Sequence, residues 1–281
     1  MPKARLVAAF ALTLLPPSGA LVAQRYANVN GIRMYYEIHG TGRGRPLVLI
    51  HGGGSTITTT FGRILPLLAR THRVIAVELQ AHGHTSDREA PESFAQDAAD
   101  VAELLRQLHV DSADILGFSN GGHTALQLAI SHPQRVRRLI VASAFYKRDG
   151  AVPGFFDQMD HAQFGDMPQA FKDAYARINP DPAALLNMFQ KDVRRMQTFR
   201  DWPDADIRGI QAPALIVIGD HDIVRSEHAV AMAQLLPHAR LAILPGNHGS
   251  YLGEITSPNA RSNVPQLFVA LVDEFQDGKL P

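Results

Sequence analysis

The chain has 281 residues, 46% of them hydrophobic and 19% charged, enough to bury a sizeable core and too apolar for global disorder. Lys plus Arg and Asp plus Glu each number 27, so no basic surplus points to a nucleic-acid partner. Cysteine is absent, which excludes a disulfide scaffold, a thiol nucleophile and a cysteine-based zinc site.

At the N-terminus, Lys3 and Arg5 precede an apolar run from Leu6 to Leu15, and small residues follow up to Ala23. That order predicts a secretory signal over 1–23, cut after Ala23 or Ala20. The run is too short to span a bilayer comfortably, so no stable membrane anchor is expected. The product would be periplasmic or secreted if the signal is removed, cytoplasmic otherwise, and a monomer or weak dimer. Residues 26–38 alternate about Asn30-Gly31, the pattern of a β-hairpin. Residues 46–50, 74–77, 136–142, 214–218 and 241–244 are strand-length apolar runs, as expected of a sheet buried on both faces.

Helical patterns lie between them. Ser93 and Gln96 have capping-box spacing. Phe94, Ala98, Val101, Leu105 and Leu108 then form one apolar stripe. Further helices are expected at 125–130, 227–236 and 264–275. Strands alternating with helices predict an α/β fold with a mostly parallel sheet and right-handed crossovers. Residues 145–206 break the alternation. They hold no good strand, several Pro and Gly breaks, and many aromatic and Met residues. This reads as a helical lid between two parts of one core, 24–144 and 207–281. Its expected substrate contacts are Phe145, Tyr146, Phe155, Phe156, Met159 and Trp202.

The chemistry-bearing motif is Gly117-Phe118-Ser119-Asn120-Gly121, placed between an apolar strand and a helix beginning near Thr124. Such a strand–turn–helix pushes the serine outward, with a helix N-terminus aimed at it. A serine hydroxyl needs a base, and the base needs an orienting acid. His248, in the loop after the last strand, is the candidate base. Asp222 is the candidate acid and Asp220 the alternate. An oxyanion requires two fixed N–H donors, and losing one costs on the order of 3 kcal/mol. Asn120 offers one. His51-Gly52-Gly53-Gly54 offers the second, at Gly53 with Gly54 as alternate; no Lys-Ser or Lys-Thr follows to make it a phosphate loop. His82, His84 and His221 lack convincing ligand spacing, so neither a metal nor a cofactor is expected.

Together, His51-Gly52-Gly53-Gly54, His82-Gly83-His84-Thr85, Gly117 to Gly121 and the Asp222 and His248 loops resemble the α/β-hydrolase fold from about residue 26 to 275. The resemblance implies Ser119 as nucleophile, His248 as base, Asp222 as acid, and Gly53 with Asn120 as oxyanion hole. The chain departs from the family at residues 78–83, where many members carry Asp first and Arg or Pro with Gly before the His-Gly. A structural role is expected for this loop, with Glu78 and Gln80 the side chains that could reach the pocket. A narrower similarity, in residues 77–85, 118–122 and 144–150, is to the serine macrolide esterases. It implies opening of a large-ring lactone, an antibiotic-inactivating reaction.

The leading expectation is hydrolysis of a carboxylic ester or lactone, with a bulky apolar small molecule as the partner. A general carboxylesterase, a carbon–carbon bond hydrolase or an acyltransferase would keep the same serine. A non-catalytic ligand receptor on this fold is the alternative of another class. A dehalogenase or epoxide hydrolase would need a carboxylate where Ser119 stands.

Overall fold

A computed structural model describes residues 23–42 and 44–280. The predicted signal lies outside them except for Ala23, which opens the first strand and pairs with Ile38.

β1 (Ala23–Val29) and β2 (Ile32–His39) form the expected hairpin. Asn30 and Gly31 both take positive φ, 43° and 89°, as a two-residue hairpin turn requires. β3 (Leu47–Ile50), α1 (Ile57–Phe61), α2 (Leu65–Leu68), β4 (Val74–Val77), α3 (Phe94–Gln107), β5 (Ala113–Phe118), α4 (Asn120–Ser131) and β6 (Val136–Ala142) follow. The insertion carries α5 (Phe155–Asp160), α6 (Gln169–Ile178), α7 (Pro182–Gln197) and α8 (Asp204–Arg208). β7 (Ala214–His221), α9 (Ser226–Leu235), β8 (Ala239–Asn247) and α10 (Val264–Gln276) complete the chain. The expected lid boundary at 206 falls inside α8, so the insertion ends a few residues later. At α3, Ser93 accepts from the Gln96 N–H as expected. The reciprocal half of the capping box is absent because the Gln96 side chain donates to Asp100 instead.

Among the described residues eight strands form one sheet, in the order β1-β2-β4-β3-β5-β6-β7-β8. β2 is antiparallel to β1 and β4, and β3 through β8 pair in parallel. The continuous apolar runs divide by alternation. Val48, Ile50, Ile75, Val77, Ile115 and Val141 pack on one face, with α3, α4 and α9. Leu47, Leu49, Val74, Ala76, Leu116 and Ile140 pack on the other, with α1, α2 and α10. No helix among the described residues is long and apolar enough to cross a membrane.

The insertion packs over the C-terminal edge of the parallel strands. Its longest helix, α7, buries Leu185, Met188, Asp192, Arg195 and Met196, three- and four-residue steps that put an acid and a base on the apolar face. Arg195 pairs with Asp192, with Asp97 at 2.6 Å and with Glu92 at 3.5 Å. His82 donates from Nδ1 to the Gln80 carbonyl at 2.7 Å and from Nε2 to Asp192 at 3.0 Å. Nε2 also lies 3.2 Å from the Gly54 nitrogen, and its place beside the Asp192 carboxylate favours the protonated, cationic ring. Burial opposes that charge, but Asp192 holds its pKa up to about 9. Burial pushes the Glu92 carboxyl up to about 8.

A buried group whose folded pKa lies above its unfolded value stabilises the fold below the unfolded pKa and loses that effect as pH rises through the folded one. Both His82 and Glu92 are raised, so both weaken the fold on the alkaline side. The melting temperature is expected to fall by roughly 5 °C or more between pH 6.5 and 9.5. Thermal unfolding of wild type and His82→Gln across that range checks this: the substitution should flatten the slope, and an equal slope in both would contradict it.

Candidate active site

Because β3 and β5 to β8 run in parallel, the loops after each open on one edge of the sheet, where ligands bind in open α/β folds. Ser119 follows β5 directly, with φ 54° and ψ −120°, a left-handed backbone that a serine adopts only under constraint. Its N–H donates to the Ala142 carbonyl at 2.9 Å, and its carbonyl accepts from His123 Nδ1 at 2.9 Å. A side chain at Gly121 would begin 2.1 Å from the Ile50 carbonyl, so only glycine lets α4 start this close to β3.

His248 Nε2 lies 3.0 Å from Ser119 Oγ, and His248 Nδ1 lies 2.7 Å from Asp222 Oδ1. Asp222 also accepts from the N–H groups of Gly219 (2.9 Å) and Val224 (3.2 Å) and from the Ser143 hydroxyl. Burial would raise its pKa, but His248 and these donors together hold it below the usual carboxylate range. Ser143 in turn contacts the buried Tyr251 hydroxyl at 2.6 Å. Asp220 is exposed and accepts from the Gly246 N–H at 2.7 Å, away from His248. Of the two aspartates, Asp222 is the one in contact with His248.

The two glycines of the oxyanion-loop alternative differ in their partners too. The Gly54 N–H is taken, donating to Asp192 at 2.5 Å. The N–H groups of Gly53 and Asn120 have no partner among the described residues, and both residues border the cavity that holds Ser119. His51 fixes the start of this loop. Its Nδ1 donates to the Gly52 carbonyl at 2.7 Å and its Nε2 accepts from the Leu79 N–H at 3.0 Å. Burial drives its pKa down to about 3, so it stays neutral. Glu78 and Gln80 do not reach the pocket. Glu78 accepts from the N–H of His84 and from its ring, and Gln80 ties down Asp87, Arg88 and Ala90.

The cavity measures about 290 Å³ and is mostly apolar. Phe155 and Met159, of the six expected contacts, line it, together with Met167, Phe171, Phe189 and Met196. Phe145, Tyr146, Phe156 and Trp202 do not. Phe145, Phe94, Phe199 and Trp202 instead surround His123 with centroid separations of 4.6–6.1 Å, so they brace the nucleophile turn from beneath. Phe156 packs on Phe145 and under Arg148, and Tyr146 lies against His228. The aromatic density of the insertion could not separate these roles, because core and pocket demand the same residue types. Sequence reading missed Ser143, Tyr251 and Asp192. Ser143 follows a predicted strand directly, and the spacing 185, 188, 192, 195 already puts Asp192 on the buried face of its helix.

The site can pass a proton from Ser119 to His248 and offer two N–H donors to an oxygen bound beside Ser119. The comparisons with known proteins agree with this architecture. The chain is 28% identical over 245 residues to the human serine hydrolase BPHL, with 83% of each chain covered. It is 28% identical over 229 residues to 2-hydroxy-6-oxo-2,4-heptadienoate hydrolase of Pseudomonas putida, covering 74% of this chain and 83% of that one. The enol-lactonase of Burkholderia xenovorans superposes with a TM-score of 0.70 at 22% identity, over 90% of this chain and all of that one, a likeness of fold. The α/β hydrolase fold model matches residues 45–186, just over half of the sequence. With sheet order, nucleophile turn and sequence in accord, the chain belongs to the α/β hydrolase fold family and is a hydrolase.

Proposed function

We propose that this chain is a serine hydrolase that cleaves a neutral, largely apolar carboxylic ester or lactone through an acyl-enzyme. The observation that carries the reading is the unbroken hydrogen-bond chain from Asp222 through His248 to Ser119, facing two free N–H groups across one apolar cavity. Ser119 Oγ attacks the carbonyl carbon while His248 Nε2 takes its proton. The oxyanion accepts from the Gly53 and Asn120 N–H groups, and the α4 N-terminus adds its dipole. Collapse expels the alcohol oxygen, which His248 protonates. Water, deprotonated by His248, then attacks the acyl carbon and releases the acid. A lactone gives a single opened hydroxy acid.

A carbon–carbon bond hydrolase is the second reading, favoured by the similarity to the heptadienoate hydrolase. Against it stands the charge of the cavity. Among the described residues, Asp166 and Asp192 are its only charged lining residues, and no Lys or Arg borders it. A dienoate carries a carboxylate, which would enter this site with no cation to receive it. Among lactones, the resemblance to macrolide esterases nominates large rings. A ring of that size exceeds the present cavity, so α5 to α7 would have to move aside to admit it.

Ser119→Ala is expected to lower ester turnover by at least about 10⁴-fold with the melting temperature unchanged. Asp222→Asn should cost roughly 10³- to 10⁴-fold and Asp220→Asn should stay near wild type; steady-state kinetics on a chromogenic ester would show the reverse if the acid is misassigned. Paired substrates probe the charge of the cavity. A neutral ester should react with at least about tenfold higher kcat/KM than the same acyl chain ending in a carboxylate, and preference for the carboxylate would favour the second reading. Phe155→Ala and Met159→Ala should raise KM with little change in melting temperature. Phe145→Ala should lose about 3–5 kcal/mol of stability in denaturant titrations, and a pure KM effect there would return it to the substrate contacts.

A further inference from the structure

We infer that Asp192, on the lid helix α7, is the positioning residue of the oxyanion hole, so that the lid helps build the site it covers. The inference rests on the reading of Ser119 as nucleophile.

A loop of three successive glycines is the freest backbone a chain can have, and an oxyanion hole needs a fixed one. Asp192 resolves that conflict. Its Oδ2 accepts from the Gly54 N–H at 2.5 Å and from His82 Nε2 at 3.0 Å. Its Oδ1 accepts from Asn120 Nδ2 at 3.1 Å and from the Arg195 guanidinium. The one carboxylate therefore holds Gly54, the residue after the proposed Gly53 donor, and the side chain of Asn120, the other proposed donor residue. Holding the Gly54 N–H limits the torsional freedom of the Gly53–Gly54 peptide, next to a Gly53 N–H that has no partner among the described residues. Holding the Asn120 side chain keeps its amide out of the space the oxyanion would occupy. The fit is tight enough that a side chain at Gly53 would begin 2.4 Å from Asn120 Nδ2 and 3.2 Å from Asp192 Oδ2.

An uncompensated carboxylate beside an oxyanion would oppose catalysis. Here the cations Arg195 and His82 stand behind Asp192, so fixed N–H dipoles are presented without a net negative field. All four acceptor positions of Asp192 are used, which leaves it no capacity to act on substrate directly.

The test measures kcat and KM on a neutral ester and the rate at which a fluorophosphonate labels Ser119. Asp192→Asn keeps the size but turns a donor toward one of its partners. It should lower kcat and the labelling rate at least about tenfold, with KM within about threefold. Lys191→Met cuts another tie of the same helix, to Asp87 at 2.7 Å, without touching the oxyanion loop, and should leave both rates unchanged. Asn120→Ala keeps the backbone donor but removes Asp192's partner. It should slow labelling in the same direction even if Asp192→Asn does not fold, and should add little when combined with it. A folded Asp192→Asn protein with wild-type rates, an equal loss in Lys191→Met, or wild-type labelling in Asn120→Ala would overturn the inference. Failure of wild type to label at Ser119 would instead remove the nucleophile reading beneath it.

Discussion

The site depends on one strained residue. Ser119 holds a left-handed backbone at the junction of β5 and α4, and that conformation alone aims its hydroxyl outward from a helix N-terminus. Such a residue costs on the order of 1–3 kcal/mol and persists only where its surroundings over-determine it. Here they do. β5 is paired on both sides, by β3 and β6. The Ser119 N–H and carbonyl are both held, and His123 reaches its carbonyl from within an aromatic box. Burial keeps His123 neutral, with its pKa driven down to about 3, so it serves as a fixed donor. The aromatic residues of the insertion's first and last segments therefore hold the Ser119 turn through His123.

The second constraint is electrostatic. Burying Asp97, Glu92, Asp192, Arg195 and His82 together is expensive unless each charge finds a partner. The cluster meets that condition with two cations, two carboxylates and a Glu92 kept protonated near neutral pH by burial. Apolar residues of similar volume would cover the cavity with less desolvation. The charged solution gives direction: it ties α7 to the oxyanion loop through specific hydrogen bonds rather than through shape alone. A lid that also holds the glycine loop would couple substrate choice to chemistry.

Much of this was legible in the sequence. Apolar runs at 46–50, 74–77 and 136–142 marked buried strands because a sheet covered on both faces leaves no polar alternation. Ser119, Asp222 and His248 were readable because each follows such a run, and parallel strands bring their ends to one edge. Between Asp222 and Asp220, and between Gly53 and Gly54, the sequence offers little to choose; only three-dimensional partners set them apart, with Asp222 on His248 and the Gly54 N–H on Asp192. Phe145, Phe156, Tyr146 and Trp202 were placed in the pocket by composition. Core packing uses the same side chains, so only contacts distinguish the two. The spacing along α7 puts Asp192 on the buried face of its helix, but nothing in the sequence shows that this face meets the glycine loop at 52–54.

The most direct test of the account is to trap the covalent intermediate. Wild-type protein, mixed with an ester whose acyl group deacylates slowly, is acid-quenched and its peptides are mapped by mass. The account predicts an acyl adduct on the peptide containing Ser119, formed in step with release of the alcohol and lost in Ser119→Ala. Alcohol release with no adduct, or an adduct on another residue, would contradict it.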